Sequence, residues 1–145
     1  MQNSETFLLS NMSPQKPKFN RGIWKELEGA VRILDADPKI LETYVISGPV
    51  FDFGEAIKAI GSKDKNGVSV PIPHVYFKSI LTENNKGALN MWSFILPNEE
   101  TKKQLTDFRV PTTQVEDLAG ILLWERLLGR KVANKKKRVR SMWKT

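Results

Sequence analysis

The chain has 145 residues, 40% of them apolar and 27% charged, an ordinary composition for one globular domain with its own core. No apolar run approaches the roughly 20 residues that span a bilayer. The first residues do not form a basic leader followed by a long apolar stretch, so we predict neither a membrane span nor a signal peptide. The lack of cysteine excludes disulfides, thiolate metal sites and cysteine nucleophiles, and His74 is the one histidine.

The net charge of +7 is concentrated at one end of the chain. Residues 130–145 contain eight lysines and arginines and no acidic residue, whereas the preceding residues contain 15 basic and 16 acidic side chains. We therefore divide the chain into a domain at residues 1–129 and a basic tail at residues 130–145. The tail either attracts nucleic acid by releasing counterions from phosphate, or is a solvated terminus that binds nothing in particular.

The N-terminal part of the chain predicts a strand, a loop and a helix. A short strand at residues 5–9 is followed by a loop at residues 10–19, in which two prolines disfavour regular structure. From about Asn20 to Asp35, apolar residues recur at spacings of three and four, which predicts an amphipathic helix. We expect Trp24 and Leu27 of this apolar stripe to be buried against a sheet.

The middle of the chain predicts strands joined by short turns. They are predicted at residues 43–51, in a hairpin within residues 56–70, and as a pair at residues 74–82 and 88–97. Gly48 and Pro49 are expected to break or bend the first, which is otherwise typical of a buried strand. Asn66 and Gly67 mark the turn of the hairpin.

The C-terminal part predicts a last helix. Thr113 and Glu116 resemble a capping box at its start. Its apolar face consists of Val115, Leu118, Ala119, Leu122, Leu123 and Leu127. Because the strands are clustered and joined by short turns, they should pair mostly antiparallel. The order of elements therefore predicts the α+β class, with a mostly antiparallel sheet flanked by helices.

A row of polar residues lies along one edge of the first predicted helix. On a helical wheel, Asn20, Glu28 and Arg32 fall beside the apolar stripe, with Arg21 near them. Asn20 and Glu28 would be about 12 Å apart along the axis, too far for both to bind one ion directly. One direct ligand and one acceptor for a metal-bound water suit Mg²⁺, which keeps most of its waters. The same residues also suit commoner roles, a helix cap at Asn20 and a surface ion pair between Glu28 and Arg32.

The segment "ETFLLSNMSPQKPKFNRGIWKELEGAVR", at residues 5–32, contains a longer pattern. It reads T-F-x-L-S-N-x-x-P-Q, then N-x-x-x-W-x-x-L-E, then an arginine four residues later. This pattern resembles the signature of the DNA/RNA non-specific endonucleases, the ββα-metal nucleases. The segments "YVISGPVF", "VPIPHVYFK", "FILPNE" and "DLAGILLWERL" resemble the later strands and last helix of that family, so the resemblance extends to about Leu128.

The resemblance implies a metal-dependent nuclease that hydrolyses DNA and RNA, leaves 5′ phosphates and has little sequence preference, because it reads the backbone rather than the bases. Asn20 would be the lone direct protein ligand of Mg²⁺ or Mn²⁺. Glu28 would hold one of the waters on the ion, and Arg32 would contact phosphate or the charge that develops during cleavage. The residues assigned to the loop beside the site and to substrate binding are Asn11, Gln15 and Arg21.

The general base of the family has no counterpart in this sequence. In the family it is the histidine of a D-R-G-H motif upstream of the T-F-x-L-S-N segment, and these residues contain no D-R-G-H. His74 matches a family strand whose histidine is not the base, so we expect it to be structural. We therefore expect a nuclease-like domain that is incomplete at its N-terminus and lacks the first strands of its sheet. A complementing N-terminal segment or a homodimer would be the partner that completes it.

Two functions follow from these expectations. The first is a Mg²⁺-dependent endonuclease that is inactive as this fragment because the general base is absent. The alternative is a non-catalytic module for nucleic-acid binding or protein interaction that derives from the nuclease fold. An unrelated structural protein would require the long motif match to be chance.

Overall fold

The computed structural model describes residues 15, 17–50, 59–60, 70–71, 73–125 and 130–144. Its helices are α1 (Pro17–Arg21), α2 (Ile23–Asp35), a 3₁₀ helix (Leu105–Phe108), α3 (Thr112–Ala119) and α4 (Arg130–Lys136). Its strands are β1 (Ile40–Val50), β2 (Ala59–Ile60), β3 (Val70–Pro71), β4 (Val75–Asn84), β5 (Leu89–Pro97) and β6 (Arg109–Val110). The strand predicted at residues 5–9 lies outside the described residues. No described helix is long and apolar enough to cross a membrane.

A four-stranded antiparallel sheet in the order β1-β4-β5-β6 forms the centre of the molecule. In the interior strand β4, Lys78 lies opposite Ser47 of β1 and Phe94 of β5. The predicted strand pair is β4 with β5. The predicted hairpin corresponds to β2 paired with β3, and its turn lies outside the described residues. The antiparallel sheet flanked by helices confirms the predicted α+β class.

Different helices cover the two faces of the sheet, because successive side chains of a strand point to opposite faces. On one face, Tyr76 and Ile80 of β4 belong to the main core with buried residues of α1 and α2. On the other face, Phe77 of β4 belongs to a smaller core with Val115 of α3. The sequence-predicted site residues of α1 and α2 therefore lie on the first face.

The helix α2 buries the apolar stripe that the sequence predicts. Trp24 is 3% exposed and Leu27 is fully buried, which confirms the expectation for both residues. Ile23, Ala30 and Leu34 are the other buried residues of the helix. Because these positions recur every three or four residues, one side of α2 faces the sheet and the other carries charged residues.

The helix predicted from Asn20 to Asp35 consists of two helices in the structure. Pro17 is the first residue of α1, so the expected irregular loop at residues 10–19 is wrong from Pro17 onward. Proline suits this position because its fixed φ matches the helix and its missing N–H would have had no partner in the first turn.

Gly22 separates α1 from α2. Its φ of −101° and ψ of −113° are not helical. A Cβ atom at Gly22 would lie 2.7 Å from the carbonyl oxygen of Lys18, so the junction leaves no room for a side chain. Asn20 precedes this break, and the single helical wheel that related Asn20 to Glu28 and Arg32 is therefore wrong.

The strand β1 continues through Gly48 and Pro49, where the sequence predicts a break or a bend. Pro49 lies opposite Tyr76 in an uninterrupted part of the register. Since β1 is an edge of the sheet, a residue without an N–H is tolerated there. The strand is buried only toward its end, because Leu41 is 58% and Tyr44 46% exposed.

The helix α3 is shorter than predicted and its start is different. It begins before Thr113 and has no side-chain cap, so the predicted capping box with Glu116 is wrong. It ends at Gly120, whose φ of 69° is the left-handed conformation that glycine adopts readily. Leu118, in the last turn of the helix, and Leu122, beyond its end, are both exposed, so the predicted apolar face is wrong for them.

The described part of the predicted basic tail packs on the domain. Lys136 of α4 donates a hydrogen bond to Oε2 of Glu116 at 2.8 Å, and both residues are buried. Nε1 of Trp143 donates to the carbonyl oxygen of Ala30 in α2 at 2.7 Å. The alternative of a solvated terminus is therefore wrong for these residues, while the division of the chain at residues 129 and 130 stays a prediction.

Candidate active site

Asn20 lies on the exposed side of α1, directly after a fully buried residue. The ring centroid of Phe19 is 5.4 Å from that of Trp24 and 5.4 Å from that of Tyr76. These contacts fix α1 on the core, so the adjacent Asn20 is held at the surface. The N-cap of α2 is Gly22 and has no side-chain hydrogen bond, so Asn20 does not cap that helix. Because Asn20 is exposed, its amide group is accessible to a ligand.

Trp24, Glu28 and Arg32 follow one another at intervals of four along one face of α2. Trp24 is buried, Glu28 half-buried and Arg32 exposed, so this row extends from the core to solvent. No salt bridge joins Glu28 to Arg32 in the part of the chain that the structure describes. The simple surface ion pair that the sequence permits is therefore not formed.

Lys78 is a member of the site that the sequence reasoning missed. It projects from β4 toward α2 and is only 7% exposed. Its Nζ atom lies 4.4 Å from the ring centroid of Trp24, in cation–π geometry. A lysine in the middle of the apolar strand "HVYFKSIL" is the signal that could have identified it, because a buried charge needs a specific environment.

The electrostatics of Lys78 connect it to the row on α2. Burial lowers the pKa of Lys78 to about 8, while the neighbouring Glu28 acts to raise this pKa and Arg32 acts to lower it. The three charges are therefore close enough to influence one another. The structure therefore places Lys78 within electrostatic range of Glu28 and Arg32.

The structure describes the other residues singled out from the sequence, except Asn11. Asn11 lies outside the described residues. Gln15 is half-buried, and its Nε2 atom has no hydrogen-bond partner in the described part of the chain. Arg21 is exposed, and its Nε donates to the carbonyl oxygen of Pro17 at 3.4 Å, within its own helix. His74 directly precedes β4, and its backbone N donates a hydrogen bond to the carbonyl oxygen of Val50 at 3.1 Å.

The chemistry of the site fits a hard divalent cation held by few protein atoms. Asn20 offers a neutral amide oxygen and Glu28 a carboxylate, and Mg²⁺ prefers oxygen ligands while retaining several waters. Across the described ranges, no group of three or more histidine, cysteine, aspartate or glutamate side chains is arranged to hold a metal. Any ion at Asn20 would therefore depend mainly on water and substrate oxygens, which suits Mg²⁺ better than Zn²⁺.

Comparison with known proteins identifies the class to which this fold and site belong. The family model for DNA/RNA non-specific endonucleases matches residues 1–129. The chain belongs to the DNA/RNA non-specific endonuclease family, which confirms the resemblance carried by residues 5–32.

Individual relatives support the same assignment. The chain is 37% identical over 133 residues to nuclease C1 of Cunninghamella echinulata var. echinulata, covering 85% of this chain and 50% of that protein. It is 36% identical over 129 residues to mitochondrial endonuclease G of Caenorhabditis elegans, covering 85% of this chain and 41% of that protein. Among solved structures, a chain of the EndoG/EndoGI complex superposes with a TM-score of 0.65 at 32% identity, covering 88% of this chain and 53% of that chain. The chain thus spans about half the length of the curated relatives it matches.

Proposed function

We propose that this chain supplies the metal-binding half of a Mg²⁺-dependent, sequence-nonspecific DNA and RNA endonuclease that leaves 5′ phosphates. The observation that carries the proposal is the row of Trp24, Glu28 and Arg32 on α2, joined by Lys78 from the sheet. The family membership of residues 1–129 supports the same reaction class.

Each residue has a role that its position supports. The amide oxygen of Asn20 would hold Mg²⁺ or Mn²⁺, and the carboxylate of Glu28 would accept hydrogen bonds from a water on the ion. When bound, the ion would supply Lewis-acid stabilisation of the charge that develops on phosphate and on the departing 3′ oxygen. Arg32 is exposed and can donate to a non-bridging phosphate oxygen.

Lys78 would contribute through its fixed charge rather than through a substrate contact, because its side chain is buried. Its positive charge interacts electrostatically with the carboxylate of Glu28. Stacking on Trp24 restricts where this charge lies. The arrangement therefore holds one positive charge at a fixed place near the row on α2 before substrate binds.

The proposal includes inactivity of the 145-residue chain by itself. Its one histidine, His74, donates and accepts backbone hydrogen bonds with Val50 and Asn98 at the sheet. We expect this residue to be structural, so the base that deprotonates water would have to come from a complementing segment or a second chain. A general base typically contributes about 10² to 10⁴ in rate.

A plasmid-nicking assay with Mg²⁺ tests the proposal. The purified chain alone should not cleave, and addition or fusion of a family segment that ends in D-R-G-H should restore nicking. In the restored protein, Asn20→Ala and alanine at the supplied histidine should abolish cleavage, whereas Gln114→Ala, at an exposed amide on α3, should not. Nicking by the chain alone that is lost in Asn20→Ala would contradict the missing-base argument.

The non-catalytic module for nucleic-acid binding or protein interaction is the second candidate, and the exposed Arg138 and Arg140 of the docked C-terminal segment favour it. A restored protein that is stably folded, binds nucleic acid and still does not cleave would support this candidate. Restored nicking that depends on Asn20 and Glu28 would exclude it.

A further inference from the structure

A groove lies where the C-terminal segment crosses the end of the sheet. A cavity of about 590 Å³ is lined by Lys39, Asn90 and Arg140, among others. An adjoining cavity of about 140 Å³ shares Asn90 and Arg140 and adds Lys135 and Arg138. We call the two cavities together the C-terminal groove. Because they share two lining residues, they form one continuous surface.

The wall of the C-terminal groove is held by side-chain donors that bind backbone carbonyls of the segment. Nη1 of Arg109 donates to the carbonyl oxygen of Arg140 at 2.8 Å. Nε1 of Trp92 donates to the carbonyl oxygen of Ser141 at 2.9 Å. Trp143, whose ring centroid is 5.0 Å from that of Trp92, is itself bonded to α2. The segment is therefore a built part of the domain, and its charges have defined positions.

The cations of the C-terminal groove have no carboxylate partner among the described residues. Lys39, Arg138 and Arg140 are exposed and Lys135 is half-buried, and none of the four forms a salt bridge with another described residue. One acidic residue, Asp37, also lines the groove. Its Oδ1 already accepts a hydrogen bond from the backbone N of Lys39 at 2.9 Å. The groove therefore has a strong excess of positive charge.

The neighbouring Lys136 differs from the cations of the groove, because its charge is neutralised by carboxylates within the protein. It is buried and pairs with Glu116 at 2.8 Å and Glu125 at 3.2 Å. Arg140 instead lies with its guanidinium carbon 5.3 Å from the ring centroid of Trp92, which orients the group without neutralising it. Oriented and unpaired guanidinium groups bind phosphate oxygens well.

We infer that the C-terminal groove binds the phosphodiester backbone of a nucleic acid at a position separate from the candidate active site. The identity of this polyanion rests on the proposed function, which makes nucleic acid the substrate. Glu28 is about 10 Å along the axis from Asp35 at the end of α2, and Asp37 and Lys39 follow that end. The groove would thus contact phosphates away from the scissile bond.

Most of the cations that line the groove lie outside the part of the chain that the family model matches. The matched range ends at residue 129, whereas Lys135, Arg138 and Arg140 come later in the chain. Trp92 is only 6% exposed and offers no free face for a base to stack on. Because the exposed charges of the groove are mainly cations, we expect it to contact backbone phosphates, and its binding should be steeply salt-dependent.

The test measures binding without metal, so that cleavage does not enter. The anisotropy of a labelled duplex of about 20 base pairs gives Kd for the full chain in EDTA, at salt concentrations from about 50 to 200 mM. Arg138→Gln with Arg140→Gln should raise Kd at least about tenfold at low salt and reduce the salt slope by about two units, one for each lost phosphate contact. The matched control is Lys102→Gln with Lys103→Gln, which removes the same charge from exposed residues outside the groove.

A second variant, outside the C-terminal segment, tests the groove without the risk of disturbing how that segment packs. Lys39→Gln changes the opposite wall of the groove and should raise Kd about threefold or more. Deletion of the segment is a poorer test, because it would also remove Trp143 from the core. Far-ultraviolet circular dichroism should be the same for all four proteins.

The outcomes separate this inference from the proposed function. Equal losses in the groove variant and in the control, or an unchanged salt slope, would overturn the inference. Equally tight binding of polyglutamate would also overturn it, because the surface would then bind any polyanion. Failure to restore nicking bears only on the proposed function, since the binding measurement uses no metal.

Discussion

Nζ of Lys78 in the interior strand β4 lies 4.4 Å from the ring centroid of Trp24 in helix α2. Trp24 is one turn before Glu28, so the aromatic ring holds a buried ammonium within electrostatic range of the carboxylate of the candidate site. Burial of Lys78 is unfavourable for its charge, and the indole face and Glu28 offset part of that cost. The pair thus couples the packing of α2 on the sheet to the electrostatics of the site.

The first prediction concerns Lys78 and pH. Its pKa is lowered by burial from 10.5 to about 8 in the folded protein. Between these values the unfolded chain binds more protons than the folded one, so the contribution of Lys78 to the free energy of unfolding rises with pH. Below about pH 8 both states are protonated and the cost of burying the charge is fully present. Relative to Lys78→Met, the wild type should gain about 2 to 3 kcal/mol between pH 7 and pH 10.

Urea denaturation of the two proteins at several pH values measures this difference. Lys103→Met, at an exposed position, serves as the control and should track the wild type across the range. A constant difference between wild type and Lys78→Met from pH 7 to pH 10 would mean that Lys78 does not titrate in this window.

The second prediction concerns the core under α2. Trp24→Ala should reduce the free energy of unfolding by about 3 to 5 kcal/mol, because Trp24 is 3% exposed and its ring contacts those of Phe19 and Tyr76. Ile33→Ala on the same helix is the matched control, since Ile33 is 50% exposed, and should cost under about 1 kcal/mol. Chemical denaturation measures both, and similar losses would show that Trp24 is not a core residue.

The third prediction concerns the junction that positions Asn20. Gly22→Ala should destabilise the protein by about 1 to 3 kcal/mol, because its Cβ would lie 2.7 Å from the carbonyl oxygen of Lys18. Gly29→Ala is the control, since the nearest atom to its Cβ would be Nη2 of Arg32 at 3.8 Å. That substitution should stabilise α2 by about 0.5 to 1 kcal/mol, as alanine is the better helix former. If both changes stabilise the protein in thermal denaturation, the α1–α2 break is not required.

The fourth prediction concerns the attachment of α4. Glu116→Gln should destabilise the protein by about 1 to 4 kcal/mol, because Glu116 is buried and its Oε2 accepts from Lys136 and from the backbone N of Leu123, each at 2.8 Å. Glu125 limits the loss, since it also pairs with Lys136 at 3.2 Å. Exposed Glu99→Gln should change stability by under about 0.5 kcal/mol. A loss no larger than that of Glu99→Gln would show that the buried pair does not hold α4.

The elements that could be predicted from sequence are those whose pattern is local. The apolar spacing in α2 places Trp24 and Leu27 in the core because helical periodicity decides which side chains share a face. The pairing of β4 with β5 follows from two β-rich runs joined by a short polar turn. By contrast, the effect of Pro49 depends on whether its strand is an edge or an interior strand, which no local pattern reveals.

The sequence by itself determined the family, the α+β class and the identity of Asn20, Glu28 and Arg32 as candidate site residues, because these rest on residue types in a fixed order. Only the tertiary structure decided that Lys78 lies over Trp24, since strand and helix are joined through packing rather than through sequence spacing. It also decided that the basic C-terminal segment is docked rather than solvated. The anchoring indole of Trp143 and the carbonyl of Ala30 meet only when the chain is folded, and no periodicity in the sequence relates them.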